Sequence, residues 1–106
     1  MMNQIVCVGR LTKEIEKEGN MAILSIAIPR SYKNAEGEYE TDFVDFVLWN
    51  GISSNTAEYC HTGDIVGVKG RVQTTTYETE DGTKHKKTEL IAERLTFLKS
   101  KSNEEE

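Results

Sequence analysis

TDFVDFVLWNG, residues 41–51, is the stretch whose reading decides the fold. Side chains alternate between the two faces of a strand. Val44, Phe46 and Leu48 then point one way, an apolar set that suits a core. Phe43, Asp45, Val47 and Trp49 point the other way, which puts two large rings and an acid on one row. At ~3.3 Å per residue, six residues separate the rings by roughly 20 Å. A barrel wall with one dry face needs only the first set. The second set fits either a packed subunit or helix, or a ligand with flat faces.

The surrounding chain supplies further strands. Residues 3–11, NQIVCVGRL, form a β-branched run ending at Gly9-Arg10. Residues 12–20 are charged and close on Gly19-Asn20, a turn signal. Residues 21–28, MAILSIAI, are too short and too branched for a helix and read as a second strand. Pro29, the only proline, cannot donate to a ladder and marks an edge or the end of pairing. Residues 31–40, SYKNAEGEYE, form a long polar loop or hairpin end before the third strand. Residues 51–63 differ in character. Ser53, Ser54 or Asn55 can cap, Ala57 and Cys60 fall at helical spacing, and Gly63 stands where a helix ends. One helix of about two turns is predicted there. Residues 64–79 alternate again, with Val66, Val68, Gly70 and Val72 facing Lys69, Arg71, Gln73, Thr75 and Tyr77 across the strand. Asp81-Gly82 is a hairpin turn, and residues 83–98 return as a fifth strand. Five strands with one short helix between the third and fourth make an all-β, five-stranded Greek-key barrel of the OB-fold type. It is expected to span residues 1–99, with 100–106 a disordered acidic tail.

Bulk properties bound the function. The chain has 106 residues, the size of one domain. A chain this short buries a limited share of its surface, so oligomerisation is a plausible source of added stability. It shows no signal-peptide layout and no run of roughly 20 apolar residues, so a cytoplasmic protein is expected. Cys7 and Cys60 lie 53 residues apart and, with only His61 and His85 beside them, have no metal spacing. No cofactor is implied. The net charge of −5 argues against easy nucleic-acid binding, since phosphate neutralisation supplies much of that affinity. The acids are unevenly placed, however, and without the Glu104–Glu106 triplet 13 cations meet 15 acids, or −2.

Catalysis has little support. A nucleophile needs a base and an orienting group within reach, and adjacent helical residues such as Cys60-His61 point about 100° apart. No Gly-rich phosphate loop is present. The aromatics are more informative. Phe43 and Trp49 share a face, Tyr77 ends the polar face of the fourth strand beyond Arg71, and Tyr32 lies between Arg30 and Lys33. Ring faces interleaved with cations suit unpaired bases, which stack at ~1–3 kcal/mol each while cations follow the phosphates. Each signal has an ordinary reading as well. Tyr32 could be a lone surface ring, Phe43 a subunit contact, Tyr77 a strand residue of good propensity, and Lys84-His85-Lys86-Lys87 a solvated hairpin arm.

The motifs NQIVCVGRLTKE at 3–14, SIAIPRSYKNAEGEYETDFVDFVLWNG at 25–51, AEYCHTGDIVGVKGRVQT at 57–74 and YETEDGTKHKKTELIAERLTFL at 77–98 resemble the bacterial and phage single-stranded DNA-binding proteins. The resemblance implies an OB-fold that assembles through its outer strands, usually into a homotetramer, and coats single strands during replication, recombination and repair. Its stacking positions carry over to Tyr32, Phe43, Trp49 and Tyr77. The cations available around them are Arg10, Lys13, Arg30, Lys33, Arg71, Lys84, Lys86 and Lys87. Relatives often hold basic residues where this chain has Asp45, Gly51, Thr62, Thr75 and Thr76, which implies a shallower salt dependence. Asp45, between two rings, should turn phosphates away. Relatives also end on an acidic tip with an apolar last residue that recruits repair enzymes. Residues 103–106 are acidic without that tip, as in a shortened piece or a form that coats without recruiting. The rival reading is a primosomal-type adaptor of the same fold, in which Phe43 and Trp49 pack against a protein partner.

Overall fold

Runs rich in Val, Ile and Thr form long strands because branched side chains pack well on a pleated surface. The computed structural model describes residues 1–49 and 60–100. In chain order the strands are β1 (Ile5–Leu11), β2 (Glu16–Glu18), β3 (Met21–Lys33), β4 (Tyr39–Trp49), β5 (Ile65–Glu78) and β6 (Lys84–Lys99). They form one sheet in the order β1-β5-β6-β4-β3-β2, and an added β1–β3 pairing closes it. Closure rests on Arg10↔Ala27 and Leu11↔Ile26. Every neighbouring pair is antiparallel except β4–β6, which runs parallel through Val47↔Ile91 and Leu48↔Ala92. Five long strands therefore make the closed barrel expected of an OB-fold, and closure removes most of its open edges.

The barrel interior is dry and filled by alternate residues. Leu11, Leu24, Ile26, Phe46, Leu48, Val66 and Val68 are almost wholly buried. Each large side chain so buried contributes roughly 1.5–3 kcal/mol of hydrophobic free energy. Gly70 is needed where β5 and β6 shift register between Lys69 and Gly70. A Cβ there would stand 2.1 Å from the Ile91 carbonyl oxygen, so backbone meets backbone at this corner. Beyond it, β5 and β6 leave the barrel as an exposed two-stranded arm, paired from Thr74↔Thr88 to Glu78↔Lys84. The arm turns at Asp81-Gly82 as expected, with Gly82 at φ +84°. The Thr83 amide donates to Asp81 Oδ1 at 3.1 Å.

Several elements differ from the sequence reading. The charged segment 12–20 contains a short strand, β2, because Glu16, Lys17 and Glu18 find open backbone partners on Ile23, Ala22 and Met21. The second strand continues past Pro29 to Lys33, and Pro29 instead marks the register shift in the β3–β4 ladder. The polar segment 31–40 is the hairpin end that the sequence allowed for. Asn34 Oδ1 accepts from the Glu36 and Glu38 amides at 2.9 and 3.0 Å, closing the turn. Val47 lies on the ring-bearing face yet is buried, because Ile23 and Ile91 flank it on neighbouring strands. Val72, expected inside, is exposed because it stands past the Gly70 irregularity, where the arm departs. The helix expected over 51–63 lies largely outside the described residues; the Thr62-Gly63 end is a turn, and the tail from 101 onward is also outside them.

Candidate nucleic-acid interface

The outer face of β4 carries Phe43, Asp45, Val47 and Trp49, in the alternation that the strand imposes. Register extends each residue into a row, because directly paired residues share a face. Phe43 continues through Ala27 to Arg10, and Trp49 through Met21 to Glu18. Val47 continues through Ile23 to Glu16 on one side, and through Ile91 to Arg71 on the other. That last row joins the barrel face to the arm. Past Arg71, the same face of the arm carries Gln73 with Glu89, Thr75 with Lys87, and Tyr77 with His85. A groove of about 580 Å³ lies at the junction, with Phe43, Asp45 and Val47 on one side and Lys87, Thr88 and Glu89 on the other.

The rings are presented to water. Phe43 is 74% exposed, Trp49 49% and Tyr77 51%. Tyr77 stacks on His85 with centroids 5.4 Å apart and planes inclined by 25°, so its ring is held in one orientation. Tyr32 is 64% exposed near the end of the β3–β4 hairpin, within the register shift between Pro29 and Lys33. Nearby, the Lys33 ammonium lies 5.7 Å from the Tyr39 ring centroid. The β-arm and the β3–β4 hairpin therefore each carry rings beyond the barrel proper.

The cations fall into distinct groups. Lys87 lines the groove, and Arg71 shares its face while approaching Glu93 at 4.0 Å. Lys84 and Lys86 pair with Glu78 and Thr76, which puts them on the opposite face of the arm from Tyr77. Arg10 stands in the Phe43 row, and its Nη1 donates to the Gly63 carbonyl at 2.8 Å. Lys13 lies 4.0 Å from Glu16. Arg30 is on the face opposite Phe43, bound to Asp42 through Nε and Nη2 and to Glu40 through Nη1 at 2.6 Å. Its hydrogen bonds hold the Asp42 carboxyl below the ordinary carboxylate range. Arg30 is thus engaged as a brace across the hairpin.

Acids enter the same surface. Asp45 Oδ1 accepts from Ser25 Oγ at 2.6 Å, and Glu89 Oε1 accepts from Thr75 Oγ1. Outside the groove, Glu14 ties the β1–β2 loop to the segment before β5. Its carboxylate accepts from the Thr62 amide and approaches His61 Nδ1 at 3.4 Å; the Thr62 amide and then the His61 contacts hold it below its ordinary value. Among the described residues no cluster of His, Cys, Asp and Glu could hold a metal ion. Burial raises the pKa of Cys7 and Cys60, which keeps both as thiols. Sequence reasoning missed His85, although the Asp81-Gly82 turn implies the register that sets it opposite Tyr77.

A closed five-stranded barrel bearing exposed rings and a groove at the root of a β-arm defines an OB-type binding domain. Its fold is similar to that of a chain described as the Plasmodium falciparum SSB complex with ssDNA, with a TM-score of 0.70 and 24% identity, covering 92% of this chain and 96% of that one. A second similar fold is a deletion mutant of the single-stranded DNA binding protein from Thermus aquaticus, with a TM-score of 0.72 and 20% identity over 92% of this chain and 51% of that one. Residues 2–98 match the single-strand binding protein family, and the chain belongs to it. It is 42% identical to single-stranded DNA-binding protein B of Bacillus subtilis, over 98% of this chain and 96% of the relative. It is 43% identical to single-stranded DNA-binding protein 3 of Listeria innocua, over 97% of this chain and 68% of the relative.

Proposed function

We propose that this protein binds single-stranded DNA by stacking unpaired bases on Phe43, Trp49 and Tyr77. The observation that carries this reading is the exposure of those three rings on one register-linked face. A folded chain gains nothing by leaving such rings in water, whereas a base on each supplies ~1–3 kcal/mol. Lys87 and Arg71 contact phosphates passing along the groove, with Lys84 and Lys86 on the back of the arm and Arg10 beside the Phe43 row. Tyr32 and Lys33 extend the path along the β3–β4 hairpin. Arg30 contributes least, since Asp42 and Glu40 already hold its guanidinium, whereas Lys13 and Arg71 each only approach one carboxylate at 4.0 Å. The protein coats and protects single strands in replication, recombination and repair, in the cytoplasm, without chemistry of its own.

It acts as a homo-oligomer, a tetramer or a dimer. Exposed Val6 and Val8 on β1, next to Leu98 of β6, support assembly through that outer face. Trp49 is the sole tryptophan, which makes the test direct. Adding oligo(dT) should quench its fluorescence, with affinity falling as salt rises. No quenching at low salt would refute the single-strand reading and favour a protein-docking adaptor.

A further inference from the structure

The groove holds two carboxylates that the stacking account does not use. Asp45 lies two strand residues from Phe43 on the same face, ~6.6 Å along the strand. Glu89 faces it from β6, across the groove. Each is oriented by one hydroxyl, Ser25 for Asp45 and Thr75 for Glu89, and in each case that hydroxyl occupies a single carboxylate oxygen. Among the described residues, Asp45 Oδ2 and Glu89 Oε2 have no hydrogen-bond or ion-pair partner. The result is a pair of fixed, free acceptors beside a stacking ring.

A polyanion gains no attraction from such groups, whereas an amino group on a base edge can donate to a free carboxylate oxygen. We infer that Asp45, with Glu89 opposite, biases this groove toward bases that carry an exocyclic amino group. The inference rests on the single-strand reading above and assigns a base preference to that same site. A base stacked on Phe43 would bring one edge within reach of Asp45, which lines the same groove. Cytosine, adenine and guanine each carry an amino N–H that a carboxylate oxygen can accept, as acids accept from the cytosine amino group in base-edge readout. Thymine offers only one imide N–H, flanked by two carbonyl oxygens, and these repel the carboxylate. Stacking itself tolerates every base, so the bias is superimposed on a broad affinity. Ser25 and Thr75 act as positioning residues, since each hydroxyl fixes which oxygen remains free.

The test compares oligo(dC) and oligo(dT) of one length, at one salt concentration, on the full chain and on Asp45→Asn and Glu89→Gln. Asparagine keeps an acceptor for Ser25 and brings an amide that can donate to a thymine carbonyl. Asp45→Asn should therefore tighten oligo(dT) more than oligo(dC). The ratio Kd(dT)/Kd(dC) should fall by about two- to tenfold, the worth of one hydrogen bond of ordinary net strength. Glu89→Gln should move the ratio the same way. Equal tightening of both oligonucleotides would mean that the acids only repel phosphate, and would overturn the proposal. An unchanged ratio would overturn it too. Failure of the unmodified chain to bind either oligonucleotide would instead sink the single-strand reading on which the proposal stands. Unchanged thermal unfolding of the two variants separates these outcomes from misfolding.

Discussion

Two of the surfaces on which the described residues leave apolar side chains in water are built differently. The β4 face presents flat rings, Phe43 and Trp49, and runs on to Tyr77 on the arm. Its neighbours are polar and hydrogen-bonded, with Ser25–Asp45 and Thr75–Glu89 set among the rings, and Lys87 in the groove. The β1 face presents branched aliphatics, Val6 and Val8, with Leu98 alongside. Gly67 lies between them; a Cβ there would meet Leu98 at 3.5 Å and Val8 at 3.9 Å, so the missing side chain leaves the patch shallow. Flat rings offer a π-face to any base, whereas aliphatic knobs gain only from a surface shaped to receive them. Exposure alone would not distinguish the two. Shape and polar surroundings do.

That contrast can be broken by mutation, and the ring face should respond most strongly. Phe43→Ala and Trp49→Ala should each weaken single-strand binding by about 1–3 kcal/mol, read by anisotropy of a labelled oligonucleotide. Both should keep the unfolding temperature and sedimentation coefficient of the parent. Loss of the assembly with affinity intact would reverse the assignment of the two faces. On the β1 side, Val8→Asp should move the sedimenting species toward the 12.0 kDa single chain. Trp49 quenching at saturating oligonucleotide should survive, because the rings are untouched.

Charge effects should be smaller. Lys87→Ala should reduce the slope of log K against log salt by about 0.7, the value of one phosphate contact on a single strand. The same change at Lys13, which faces Glu16, should alter the slope less. The smallest effect concerns pH. Asp42 titrates below its ordinary 3.8 because Arg30 holds it charged in the folded chain. Its contribution is complete at neutral pH. It is lost as pH falls through 3.8 and then through the lower folded value, since the unfolded chain takes up its proton first. Asp42→Asn should thus flatten the decline of unfolding temperature between pH 5 and about pH 2 while leaving the β1 face unaffected. An identical acid profile in parent and variant would remove Arg30–Asp42 as a brace of the hairpin.

Local sequence made much of this legible. Alternation in residues 41–51 separates Phe46 and Leu48, both buried, from Phe43 and Trp49, both exposed. Asp81-Gly82 marks the arm's turn. The misplaced residues have a common cause: each depends on a strand distant in sequence. Val47 is buried only because Ile23 and Ile91 stand on either side of it, and Val72 is exposed only because the ladder shifts at Gly70. The short β2 strand exists because β3 offers it an edge. Arg30 reads as a cation beside Tyr32, yet the hairpin register sets Asp42 and Glu40 against it.

By itself, then, the sequence determined most of the inward-facing residues along the strands, where the chain turns, and that Phe43 and Trp49 lie off the core. These follow from the two-residue period of a strand and from turn chemistry, both local. Tertiary structure decided that the two rings of β4 and Tyr77 of the arm belong to one surface. It also decided that Arg30 is held by Asp42 and Glu40 and that Asp45 and Glu89 face a common groove. Those are consequences of the hairpin register, of barrel closure and of the parallel β4–β6 pairing, which joins residues more than forty positions apart.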